Sequence, residues 1–175
     1  ASIENARNGA NGNYKMSDFS SWGVSPDMRL KPEVTAPGGN IYSSVPGGGY
    51  KMMSGTSMAT PQMTGASAVV LERVQNDPLF SSLNDRQKVD VVQNLIMGTA
   101  VPVVDPGQGG GAYYSPRKQG AGLVNVQAAT TTGVYPTVNG ATDASRPKAD
   151  LGDGTNGWHF DVTLHNVSGT AATYD

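Results

Sequence analysis

The chain has 175 residues, no cysteine, 15% charged residues and a formal net charge of −2. Without cysteine it can hold neither a disulfide framework nor a thiolate metal site, and its redox compartment is not readable from cysteine pairing. So sparse and balanced a charge leaves no basic footprint for nucleic acid and makes a polyanionic partner a poor fit.

Taken in chain order, residues 1–16 are rich in Asn and Gly, lack a start methionine and an apolar signal segment, and are read as a linker from a preceding region. Ile41 to Val45 and Tyr50 to Met53 predict two short strands joined by the turn Pro46-Gly47-Gly48-Gly49. No Lys-Ser/Thr pair follows that glycine run, so it is a hairpin turn rather than a phosphate loop.

The second strand feeds Ser54-Gly55-Thr56-Ser57-Met58-Ala59-Thr60-Pro61, a small-residue turn that runs into an apolar helix. Such a turn exposes a hydroxyl at a helix N-terminus, where unpaired N–H groups face developing negative charge, and so makes Ser57 a candidate nucleophile. Gly55 supplies backbone freedom and leaves room for a substrate carbonyl. Taken alone, Ser and Thr before a helix are also ordinary N-caps. Pro61 is expected in the first turn, and the helix over 58–74 follows from Met63, Ala66, Val69, Val70 and Val74. Its charges are confined to Glu72 and Arg73, which suits burial on most sides. The uncharged run from Met52 to Leu71 is interrupted by Ser, Thr, Gln, Pro and Gly and reads as a core helix, not a membrane span.

A second helix is signalled at Asn84, with Gln87 in capping-box position, Val89, Val92, Leu95 and Ile96 as its apolar stripe, and Gly98 at its end. Asp105 to Ala112 is a Gly-rich surface loop in which one carboxylate, Asp105, is weak ground for a calcium site. Residues 131–150 turn polar and aperiodic and are read as a linker. In residues 151–175, Trp158, Phe160, Val162 and Leu164 alternate onto one face of a half-buried strand of the kind that opens a β-sandwich. His159 and His165 then fall on the opposite, solvated face. Their six-residue separation spans about 20 Å along a strand, too far for one metal ion.

Four blocks lie in the order and spacing of the C-terminal half of a subtilisin-like serine protease catalytic domain. They are Phe19-Ser20-Ser21-Trp22-Gly23, Lys31 to Gly38, the Ser57 motif, and Gly122-Leu123-Val124-Asn125-Val126-Gln127-Ala128-Ala129. Over residues 17–130 the chain resembles the subtilase family, most closely the cell-envelope lactocepin and C5a-peptidase group. The resemblance implies an α/β fold: the C-terminal part of a parallel-sheet catalytic domain, then the start of a fibronectin-like β-sandwich.

It also implies an endopeptidase acting on protein or peptide substrates, secreted or attached to a cell wall. Ser57 would attack the scissile carbonyl and form an acyl-enzyme, with its own N–H as one oxyanion donor and the Thr56 hydroxyl supporting that hole from outside. Gly65 would let the central helix pack closely on the sheet, and residues 19–23 would be framework. In this family the Asp, His and oxyanion Asn precede the serine. No histidine precedes Ser57 here, so the chain is expected to be part of a longer protease and inactive alone. Many subtilases carry His where this chain has Gln62, a position expected to lie away from the hydroxyl. A pseudoprotease and a cell-surface binding or adhesion module stay open. No cofactor is evident, and any structural calcium of the longer protein is not readable here. Half of the covering sheet would be missing from this stretch, so exposed apolar surface and dimerisation through it are expected. Substrate specificity is not legible.

Overall fold

The computed structural model describes residues 1–5, 14–139, 147–149 and 157–173. In chain order the elements are β1 (Ser2–Asn5), β2 (Tyr14–Met16), β3 (Ala36–Pro37), β4 (Ile41–Ser44), β5 (Tyr50–Met53), α1 (Thr56–Asn76), α2 (Asp85–Gly98), α3 (Pro116–Gln119), α4 (Val126–Thr131), β6 (Val134–Val138) and β7 (Val162–Asn166). They form two compact units: residues 1–65 with 100–124, and residues 66–99 with 125–175, the division falling within α1.

In the first unit β1 is the centre of a three-stranded sheet, antiparallel to β2 and parallel to β3. Within the stretch expected as linker, Ser2–Asn5 and Tyr14–Met16 are thus strand, residues 6–13 lying outside those described: Ile3 lies opposite Met16, and the two are 1% and 0% exposed in a core shared with Val103 and Tyr114. The Asn- and Gly-rich composition of residues 1–16 hid this, because the pairing is fixed by apolar residues more than ten positions apart. Thr35 extends the parallel theme by bridging to Leu123, its N–H donating to the Gly122 carbonyl at 2.8 Å. Buried polar groups here are paired, as they must be to offset desolvation. The Thr35 hydroxyl donates to the Gln119 carbonyl at 2.9 Å. The Gln119 side chain, itself buried, accepts from the Val103 N–H at 2.7 Å and donates to the Tyr114 carbonyl at 2.5 Å. β4 and β5 form the expected hairpin, with Ser43 opposite Lys51 and Ile41 opposite Met53.

In the second unit the C-terminal half of α1 buries Ala66, Val70 and Val74, one stripe at four-residue spacing, while Val69 stays 48% exposed. Burial on most sides is the expectation for the longer protein; in this chain only that stripe is covered. Gly65, in the first unit, is not packed on a sheet: a Cβ there would meet nothing within 4 Å. α2 begins with the full capping box, since the Gln87 N–H donates to Asn84 Oδ1 at 3.0 Å and the Asn84 N–H donates to Gln87 Oε1 at 2.9 Å. Its buried face carries Val91, Val92, Leu95, Ile96 and Met97, with Val89 turned outward. Gly98 is its last residue and leaves room for Pro136 of β6, whose Cδ would lie 2.8 Å from an added Cβ. The Arg73 guanidinium donates to the carbonyls of Ala129 and Thr132 at 2.8 and 2.6 Å, closing the C-terminal end of α4.

The expected linker over 131–150 contains β6, which pairs antiparallel with β7. β7 is a strand as expected but begins only at Val162, and the apolar face expected to be half-buried is not the better covered one. Trp158, Phe160, Val162 and Leu164 are all about half exposed, whereas His165 is partly buried, stacked on Tyr135 at 4.6 Å and bonded to the Thr137 hydroxyl at 2.8 Å. Alternation says which residues share a face; what covers a face is decided by the neighbouring strand, and β6 offers Tyr135 and Thr137. His159 is exposed.

Candidate active site

The Ser57 turn is held at two points on the loop after β3. The Gly55 N–H donates to the Gly38 carbonyl at 2.8 Å, and the Asn40 N–H donates to Ser54 Oγ at 2.8 Å. That loop is in turn tied to β1, the Gly38 and Gly39 N–H groups donating to the Ile3 carbonyl at 3.0 and 3.2 Å. Gly38 is glycine because of proximity. A Cβ there would come within 2.5 Å of Ser2 Oγ, 2.6 Å of the Gly55 carbonyl oxygen and 2.9 Å of Ala59 Cβ.

Gly55 caps α1, its carbonyl accepting from the N–H groups of Met58 and Ala59 at 3.0 and 3.3 Å. It does so without positive φ, so its use is small bulk rather than a special backbone angle. The N–H groups of Thr56 and Ser57 precede any intrahelical acceptor and remain available to an anionic oxygen. Pro61 stands in the second turn, not the first, and has no N–H to give the Ser57 carbonyl four residues back. The Ser57 hydroxyl is exposed, and no residue described hydrogen-bonds it.

Ser57 lines an open cleft of about 270 Å³ between the β4–β5 hairpin and the start of α1. Ile41, Ser43, Lys51 and Met53, one face of the hairpin by register, form one wall; Met58, Pro61 and Gln62 form the other. Gln62, expected to lie away from the hydroxyl, therefore shares its cleft. The hairpin wall was missed from sequence because it depends on where the hairpin folds. Thr56 lines a separate hollow of about 300 Å³ with Trp22, Lys31 and Pro32. Residues 19–23 are tied into this unit through Ser20 Oγ, which accepts from the Ser2 N–H at 2.9 Å, and Gly23, whose N–H donates to the Arg117 carbonyl at 2.8 Å.

The electrostatics of the unit are mild. Asp27 is held at about 2 by hydrogen bonds from Ser25 and then Arg29, in an exposed turn. Burial pushes the Tyr114 phenol up. Asp105 Oδ1 accepts from the Gly107 N–H at 2.9 Å within its own loop. Among the described residues no group of three His, Asp or Glu side chains is placed to hold a metal ion.

The model of the subtilase family matches residues 4–140. The chain belongs to the subtilase family. Its α/β elements are accordingly part of a subtilisin-like fold. It is 32% identical over 154 residues to the C5a peptidase of Streptococcus pyogenes, covering 88% of this chain and 13% of that protein. It is 42% identical over 120 residues to the PII-type proteinase of Lactococcus lactis subsp. cremoris, covering 66% of this chain and 6% of the relative. The chain thus spans a small part of the length of these relatives. Among solved structures, it is similar to the prenylagaramide maturation protease PagA, with a TM-score of 0.46 and 28% identity over 66% of this chain and 37% of that one. No helix among the described residues is long and apolar enough to cross a membrane.

Proposed function

We propose that this chain carries the nucleophile of a serine endopeptidase, and that Ser57 forms the acyl-enzyme. The observation that carries the reading is the Ser57 hydroxyl, exposed on a cleft at the N-terminus of α1 in a chain of the subtilase family. In the proposed cycle Ser57 Oγ attacks the peptide carbonyl, its proton passes to a histidine supplied by the longer protein, and the leaving amine departs with that proton. Water then hydrolyses the ester. The Ser57 N–H is one oxyanion donor, a second comes from an Asn outside this chain, and the Thr56 hydroxyl supports the hole from behind. Substrates are proteins or peptides, met outside the cell by a secreted or wall-attached enzyme. Residues 151–175 belong to the start of a β-sandwich module after the catalytic domain.

By itself the 175-residue chain is inactive, because a serine hydroxyl without a positioned base is a poor nucleophile at neutral pH. The test is cleavage of a protein substrate by the full-length protein that carries this chain and by its Ser57→Ala variant. Cleavage by the first and not the second is expected. Equal cleavage by both would overturn the assignment.

A further inference from the structure

We infer that Lys51 makes the Ser57 cleft select a substrate carrying a carboxylate side chain beside the scissile bond, an inference that rests on the protease reading above. Strand register puts Lys51 on the same face of the β4–β5 hairpin as Ile41, Ser43 and Met53, the face that lines the cleft with Ser57. The opposite face is occupied differently, by Tyr42 and Tyr50 stacked at 5.6 Å. Directly across from Lys51 is Ser43, too short to block the lysine stem.

Every other residue lining the cleft is neutral, so no carboxylate there competes for the ammonium. None of the ion pairs among the described residues involves Lys51. A peptide lying in the cleft would bring its side chains against an unpaired positive charge flanked by Met53 and Ile41. It would also exclude water there, which strengthens the attraction to an Asp or Glu and penalises a Lys or Arg.

The experiment measures kcat/KM of the full-length protein carrying this chain on peptides that differ at one position, on either side of the cleaved bond, as Glu, Gln or Lys. At one position Glu should be preferred over Lys by about fivefold at low salt, a preference compressed at about 0.5 M salt. Lys51→Met should erase it, Lys51→Glu should invert it and Lys51→Arg should keep it. In all of them Ser57 should still be labelled by an uncharged fluorophosphonate, which separates a change of selectivity from loss of the nucleophile. Persistence of the preference in Lys51→Met, or its absence at every position in the wild type, would overturn the role of Lys51 while the protease reading stands. No peptide cleavage together with no labelling of Ser57 would overturn both.

Discussion

The same substitution, glycine to alanine, should have opposite signs at two positions of the first unit, Gly38 and Gly65. At Gly38 the new methyl would meet Ser2 Oγ at 2.5 Å, the Gly55 carbonyl oxygen at 2.6 Å and Ala59 Cβ at 2.9 Å. Ordinary contacts lie at about 3.5 Å or more, so neighbours must give way by up to about 1 Å. One neighbour is backbone and the others are short side chains with no flexible end to swing aside. Overpacking of this kind costs about 1–3 kcal/mol, and the rigid surroundings place Gly38→Ala at about 2–3 kcal/mol. At Gly65 the methyl meets nothing within 4 Å, and in a helix interior Ala is better than Gly by about 0.8–1 kcal/mol. Urea unfolding of the 175-residue chain should move the two midpoints in opposite directions. In the full-length protein Gly38→Ala should also slow acylation of Ser57 by about a hundredfold, since the Gly55 carbonyl it displaces caps the helix carrying the nucleophile. A Gly38→Ala chain within about 0.5 kcal/mol of wild type would refute the argument from close approach.

Gln119→Leu should destabilise by about 2–5 kcal/mol, because it strands the Val103 N–H and the Tyr114 carbonyl together, and urea unfolding reads the loss. Asn84→Ala should cost about 1 kcal/mol through loss of the cap on α2, visible as a lower unfolding midpoint. Burial raises the Tyr135 phenol above its ordinary value, so the folded state holds its proton longer than the unfolded chain. The corresponding stability is whole below about pH 10 and falls as pH rises above that, and Tyr135→Phe should flatten this alkaline limb of the stability curve. The isolated chain should self-associate through exposed apolar residues such as Val69, and sedimentation showing a strict monomer that binds no hydrophobic dye would count against this.

Local chemistry was legible where it is self-contained. Asn84 and Gln87 announce their capping box within four residues, and the turn of Pro46 to Gly49 announces the β4–β5 hairpin. The turn into a helix at Ser57 was legible because its small residues and the helix behind them are contiguous in sequence. What needed tertiary pairing was not. β1 and β2 hide in an Asn- and Gly-rich stretch whose burial depends on Val103 and Tyr114 far along the chain. Alternation through Val162 and Leu164 identified a strand but not which of its side chains is covered, which β6 decides by placing Tyr135 against His165. Lys51 and Gln62 reach the cleft only because the hairpin folds beside α1, so neither carried a local signal.

The most direct test is to treat the full-length protein and the isolated 175-residue chain with a fluorophosphonate and locate the adduct by peptide mass spectrometry. The account predicts stoichiometric modification of Ser57 in the full-length protein, none in its Ser57→Ala variant, and none in the isolated chain. Modification at another residue, or a full-length protein that leaves Ser57 unlabelled, would contradict it.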